Sequence, residues 1–128
     1  MKISLVQPNF RQGGSAFSGY WLPYSVGCVY SYSAQSPEFK GKLDLNKVIF
    51  RREKIEWASD DMLDDDIVFF SCYMWNWEYS KALAKMLKEK SPRTQIVFGG
   101  PQVTEYRSEE QKQQLPYVDT FVISEGEL

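Results

Sequence analysis

Histidine is absent from all 128 residues. That absence removes Ser/His/Asp and Cys/His nucleophilic catalysis, histidine general acid–base work and imidazole ligation of a metal. The two cysteines, Cys28 and Cys72, are widely spaced and sit in different contexts. They exclude a zinc knuckle, or an iron–sulfur site built by this chain alone. No run approaches the ~20 apolar residues of a membrane helix, and the N-terminus enters an apolar segment at Lys2 without a basic-then-apolar leader. The expectation is a cytoplasmic protein with no membrane partner. Net charge is −2 and no long basic stripe exists, so the electrostatic footprint of a nucleic-acid binder is missing too.

What remains is an ordinary globular composition, 43% hydrophobic and 25% charged, with aromatics the outlier at 16%. The length fits a single domain, residues 1–128, with one core. Asp60, Asp61, Asp64, Asp65 and Asp66 form one acidic cluster. It lies just before a strand, away from the other candidate loops, and reads as a solvated connection rather than a cation site.

Residues 2–7 hold Ile3, Leu5 and Val6 and stop at Pro8, which predicts a first strand. Residues 9–19 are rich in Gly, Ser and polar types without periodicity, a long loop. Leu22, Val26, Val29 and Tyr30 recur at helical spacing over 21–32, with Pro23 in the first turn. Val48, Ile49 and Phe50 predict a second strand at 47–52, and a lean crossover leaves one helical stretch near 59–63. Residues 67–70 form a continuous apolar run, as in a strand covered on both faces. Leu83, Met86 and Leu87 alternate with lysines over 78–90, an amphipathic helix closed by Ser91 and Pro92. A fourth strand at 95–98, a polar helix at 108–115 and a fifth strand at 120–123 complete the alternation. Such alternation predicts right-handed parallel crossovers: an α/β, three-layer, flavodoxin-like (Rossmann-like) sheet of about five strands in the order 2-1-3-4-5. Ligands of such sheets sit outside the C-terminal strand ends.

Three of those ends carry unusual residues. Ser71, Cys72, Tyr73 and Asn76 follow the third strand, and Gly99, Gly100, Pro101 and Thr104 follow the fourth. Ser124, Glu125, Gly126 and Glu127 follow the fifth, where the sequence reads as a domain ending at a junction. Glycine after a buried strand allows a tight turn or the close approach of a ligand. Glu125 and Glu127 lack a nucleophile or histidine beside them, so hydrogen bonding to loop amides, a cofactor hydroxyl or a following domain is the preferred reading.

In this ordered set the chain resembles the cobalamin-binding, flavodoxin-like domain that precedes the catalytic domain of cobalamin-dependent radical S-adenosylmethionine enzymes. The resemblance runs through Asp66 to Ser71, Asn76, Pro92, Gly99 to Pro101, Thr104, Val118 with Asp119, and Ser124 to Glu127. Ser124 stands where the family usually has a glycine. Pro8, Tyr20, Pro23 and Gly27 match the opening loop and first helix. The methionine-synthase type of domain is matched only at Ser71 and the glycine pair, because Tyr73 replaces a leucine and the histidine is missing.

The resemblance implies base-off, His-off cobalamin, its dimethylbenzimidazole tail detached from cobalt and threaded into the sheet. Ser71 would bond the tail, Gly99 and Gly100 would clear its channel, and Thr104 or Ser124 would meet the phosphate. Asn9, Arg11 and Gln12 would lie near the lower face of the corrin, or simply face solvent. Tyr73, Trp75, Trp77 and Tyr79 form an aromatic cluster for a corrin edge or a neighbouring domain, with at least one expected in the core. The implied cofactor-binding set is Pro8, Asn9, Arg11, Ser71, Cys72, Tyr73, Asn76, Gly99, Gly100, Pro101, Thr104, Ser124, Glu125 and Gly126, with no catalytic residue and no metal ligand.

The three-cysteine C-x-x-x-C-x-x-C motif is absent, so S-adenosylmethionine and a 4Fe-4S cluster would belong to a C-terminal radical S-adenosylmethionine catalytic domain, in the same chain or a separate one. A cofactor-free docking domain of the same fold stays open beside this reading. A phospho-receiver would need carboxylates where Gln7 and Pro8 stand and a lysine where Ser124 and Glu125 stand. A flavin protein would need a Ser/Thr-rich phosphate loop where residues 9–12 stand.

Overall fold

The computed structural model describes residues 1–12 and 19–124. Its centre is a parallel sheet in which β1 (Lys2–Val6) lies between β4 (Asp44–Ile49) and β5 (Ile67–Ser71), followed outward by β6 (Gln95–Gly99) and β7 (Thr120–Phe121). In order of appearance these five strands are arranged 2-1-3-4-5, the flavodoxin-like order expected. The chain also forms a two-stranded antiparallel ribbon, β2 (Arg11–Gln12) with β3 (Gly19–Tyr20), inside the segment read as a loop. The rest of that loop, residues 13–18, lies outside the described residues.

Helix boundaries shift by a few residues. α1 (Tyr24–Gln35) begins after Pro23, which occupies the N-cap rather than the first turn. α2 (Ile55–Asp60) starts earlier than 59–63, and β4 earlier than 47–52. β4 gains length because pairing with β1 continues through a bulge: Ile3 pairs with Leu45, Ser4 with Lys47, and Asn46 is the extra residue. α3 (Trp77–Lys90) carries Glu78 in its first turn and Lys88 and Lys90 in its last, in the sense that favours the helix dipole. α4 (Ser108–Gln114) follows a short 3-10 turn (Glu105–Arg107).

The core lies on one face of the sheet. Val6, Val68, Phe70, Ile96 and Phe98 point there, against Ala58 and Met62 of the α2 region and Leu83, Ala84 and Leu87 of α3, all essentially inaccessible. Phe98 meets Phe70, Trp77 and Phe121 with ring centroids 5.0, 5.8 and 6.2 Å away. The other face is covered by α1, incompletely.

The acidic cluster resolves into individual structural tasks. Asp61 pairs with Lys47, Asp60 with Lys90 at 2.7 Å, and Asp64 with Arg93 at 3.5 Å. Asp66 accepts the Lys2 amide at 2.7 Å. Among the described residues no group of acidic and thiol side chains is arranged to hold a metal ion. No helix among them is long and apolar enough to cross a membrane.

Candidate functional site

Side chains alternate across a strand, so those not used by the core face α1. Ile3 and Leu5 of β1, Ile67 and Phe69 of β5, and Val97 of β6 form that second face, with Val122 beyond β7. Ile67, Phe69, Val97 and Val122 remain only half-buried. Opposite them α1 presents Ser25, Val26, Val29, Tyr30 and Ser33. Between the two walls lies a cleft of about 580 Å³, which reaches Met1, Phe39 and Leu43 at the N-terminal edge of the sheet. That size is typical of a small-molecule site, commonly ~300–1,000 Å³ and mostly apolar.

The mouth is at the C-terminal strand ends and is polar. Ser71, Gly99, Gly100, Ser124, Ser25 and Tyr73 line it. Among the described residues the Ser71 hydroxyl is not engaged by another group, although the residue is 7% exposed. Tyr73 Oη and Ser25 Oγ share a hydrogen bond of 2.6 Å that ties the loop after β5 to the first turn of α1. Tyr73 also stacks on Trp75, centroids 4.5 Å apart and planes within 15°. Ser124 holds φ at +68°. This left-handed conformation is one that glycine adopts without cost and a serine only rarely.

The two glycines do different work. Gly100 has φ +94°, and a Cβ there would stand 2.9 Å from both the nitrogen and the oxygen of Cys72. Its lack of a side chain lets two backbones meet at the mouth of the cleft. The β5 and β6 loops are laced at this point: Cys72 donates its amide to Gly99 at 2.7 Å, and Gln102 donates to Cys72 at 3.0 Å. A Cβ on Gly99 would make ordinary contact with Val122 at 3.5 Å.

Other expected site residues serve as braces. Asn76 is fully buried; it donates to Ser71 O at 3.0 Å and accepts from the Tyr73 amide at 2.8 Å, fixing the loop shape. Asn9 is buried, donates to Trp21 O and Leu22 O, and accepts from the Trp75 indole at 3.2 Å. Cys72 turns its side chain into the core, where burial pushes the thiol pKa up. Pro8 is buried, and Arg11 is exposed in β2, paired with Tyr20. Pro101 and Thr104 are exposed on the turn beyond β6 and are not among the cleft-lining residues. Asp119 lies at the opposite edge, accepting from the Ile96 amide at 2.7 Å and pairing with Lys88 at 2.8 Å. Glu125, Gly126 and Glu127 lie outside the described residues, and of Gln12 only the backbone, in β2, is described.

The aromatic cluster divides. Trp77 and Tyr79 pack against the core, and Tyr79 donates to Glu53 O at 2.9 Å, its own pKa pushed by burial to about 12. Trp75 stays at the surface with Phe10 edge-on at 5.8 Å. Asn9 ties this pair to exposed Trp21 and Leu22, and Met74 beside Trp75 is 80% exposed. The sheet's C-terminal end therefore carries an apolar surface next to the cleft mouth.

The wall residues Ile67, Phe69 and Val97 and the α1 residues had been read from the sequence only as parts of their strands and helix, not as lining a site. Their signal was available in the alternation within β5 and β6: a strand apolar at every position, with one side already committed to the core, needs cover on the other.

The chain is 30% identical over 108 residues to a cobalamin-dependent radical SAM methyltransferase, TokK, from Streptomyces tokunonensis, an alignment covering 84% of this chain and 16% of that protein. It is 31% identical over 107 residues to a 2-(S-pantetheinyl)-carbapenam-3-carboxylate methyltransferase from Streptantibioticus cattleyicolor, again 84% of this chain and 16% of the relative. The chain thus spans a small part of the length of these relatives. The B12 binding domain family matches residues 47–128, a stretch that contains β5, β6, Ser71 and the glycine pair. With more than half of its length matched, the chain belongs to the B12 binding domain family.

Proposed function

We propose that this domain carries cobalamin with the nucleotide tail detached from cobalt and lodged between α1 and the sheet, and presents the cofactor to a radical S-adenosylmethionine catalytic domain. The observation that carries this reading is the half-buried apolar strip inside the cleft of about 580 Å³, opening between the hydroxyls of Ser25, Ser71 and Ser124. A flat aromatic base fits the apolar depth, and a ribose fits the hydroxyl-lined mouth. No lysine or arginine is among the described lining residues, so the tail phosphate stays at the solvent-facing end, served by hydroxyls and backbone amides.

Bound cobalamin supplies a cobalt centre able to hold and release a methyl group. The chain's own residues bind and orient it. Ser71 hydrogen-bonds the tail, and Tyr73 with Ser25 frames the entrance. The apolar surface of Trp21, Leu22, Met74 and Trp75 covers the corrin edge or packs on the catalytic domain. With no histidine in the chain, its residues would offer a bound cobalt no imidazole. The great length of the named methyltransferases relative to this chain supports a catalytic domain that brings S-adenosylmethionine and the 4Fe-4S cluster.

A visible-absorption titration of the domain with hydroxocobalamin tests the reading, repeated with Gly99→Trp to fill the mouth from a position whose Cβ meets Val122 at an ordinary 3.5 Å, with folding checked by circular dichroism. The expected result is a saturable change from the base-on to the base-off spectrum, lost in the variant. Binding with the base-on spectrum retained would refute the detached tail. No binding by a demonstrably folded domain would overturn the reading and leave a cofactor-free docking module.

A further inference from the structure

The cleft is chemically one-sided. Below Ser71 its sheet wall is Ile3, Leu5, Ile67, Phe69 and Val97, side chains without a nitrogen or oxygen. The strand backbones offer nothing in their place. β5 is paired with β1 on one side and β6 on the other, so its amides and carbonyls are spent on the ladders. The helix wall contributes Val26 and Val29, and the Val26 amide is already taken by Gln7 Oε1 at 3.2 Å. Past the mouth, the side-chain hydroxyls among the described lining residues are those of Tyr30 and Ser33, both on the helix side.

We infer that this cleft selects among corrinoid cofactors by the lower base, accepting an apolar aromatic base such as dimethylbenzimidazole or a phenol and disfavouring a purine. The inference rests on the reading of the cleft as the tail site. A purine brings ring nitrogens on both edges and an exocyclic amine, each bonded to water in the free cofactor. Against the sheet wall those groups lose water and gain no partner, and a buried polar group without a partner is costly. A phenol ring brings no such group and dimethylbenzimidazole only the one ring nitrogen freed from cobalt, so each loses less there and gains the burial of its own surface and of Phe69 and Val97.

The test compares three probes by Trp-fluorescence quenching and visible absorption on the same protein: a phenol-based cobamide, an adenine-based cobamide, and cobinamide, which has no nucleotide tail. Neither base of the first two holds cobalt strongly, so the cost of releasing it does not cloud the comparison. The phenol-based form is expected to bind at least about tenfold more tightly than the adenine-based form. Val97→Thr, nearly isosteric and placing a hydroxyl on the sheet wall, is expected to narrow that ratio, with folding checked by circular dichroism.

Equal affinity of the two cobamides, both tighter than cobinamide, would overturn base selection while leaving the tail in the cleft. An adenine form that binds more tightly would overturn it as well. Cobinamide binding as well as both would remove the tail from the cleft, and the selection with it; no binding by any probe would remove the cofactor reading itself.

Discussion

Gly100 faces the peptide of Cys72 so closely that a Cβ on it would lie 2.9 Å from that residue's nitrogen and oxygen. Neither neighbouring atom belongs to a flexible side chain, and φ is +94°. Gly100→Ala is therefore expected to destabilise the domain by at least ~2 kcal/mol, from backbone strain and the displaced β5 loop together. Gly99→Ala, with 3.5 Å to Val122, should stay within ~1 kcal/mol of the parent. Urea unfolding of the two variants side by side checks the contrast, and equal losses would contradict it.

Tyr73→Phe removes the hydrogen bond to Ser25 while keeping the ring that stacks on Trp75. The cost should be about 1 kcal/mol. Because the bond ties the β5 loop to α1, hydrogen exchange should quicken in the first turn of α1 and leave α3 unchanged. Uniform acceleration in both helices would show that the bond has no local role.

Asp65 is fully buried, accepts from Asn46 at 2.8 Å through Oδ1, and has no partner for Oδ2 among the described residues. Burial raises its pKa, against hydrogen bonds from Ser4 and Asn46 that lower it. A folded-state pKa above the unfolded ~3.9 means that the folded form keeps its proton over a window opening near pH 4. Stability from this group is then greatest below that window and falls as pH rises through it. Asp65→Asn should flatten the decline and leave the protein at least as stable as the parent at neutral pH, measured as urea midpoints from about pH 4 to about pH 8. A variant less stable at neutral pH would show that the charge is better solvated than its surroundings indicate.

The two thiols should react differently. Cys72 is fully buried with its pKa raised by that burial, whereas Cys28 is half-buried on α1. An aromatic disulfide reagent should titrate Cys28 in the native protein and both thiols only after unfolding. Rapid native labelling of Cys72 would mean that the β5 loop opens readily.

Much of the fold was legible because the apolar runs of β5 and β6 and the lysine-faced α3 are strong local signals. The strand order followed from alternation alone. Boundaries failed where tertiary pairing overrode local pattern: β4 reaches back to Asp44 through a bulge at Asn46, while Phe50, Arg51 and Arg52 leave the ladder although Phe50 looks strand-like. The ribbon of β2 and β3 is two residues on each side, too short for any period. At the cleft mouth, residue type singled out Ser71, Gly99, Gly100 and Ser124, but not the backbone contacts that shape the loops there. Asn9, Asn76 and Gly100 satisfy or approach backbone, a role set by buried geometry that residue type cannot announce.

The alternation within β5 and β6 has a consequence for how this sequence can vary. Val68, Phe70, Ile96 and Phe98 answer to the closed core, whereas Ile67, Phe69 and Val97 line the cleft, where the proposed function lodges the cofactor tail. In saturation mutagenesis, thermal tolerance and ligand preference would alternate residue by residue along the same two strands. Cargo preference can therefore drift in one register while the scaffold is held fixed in the other.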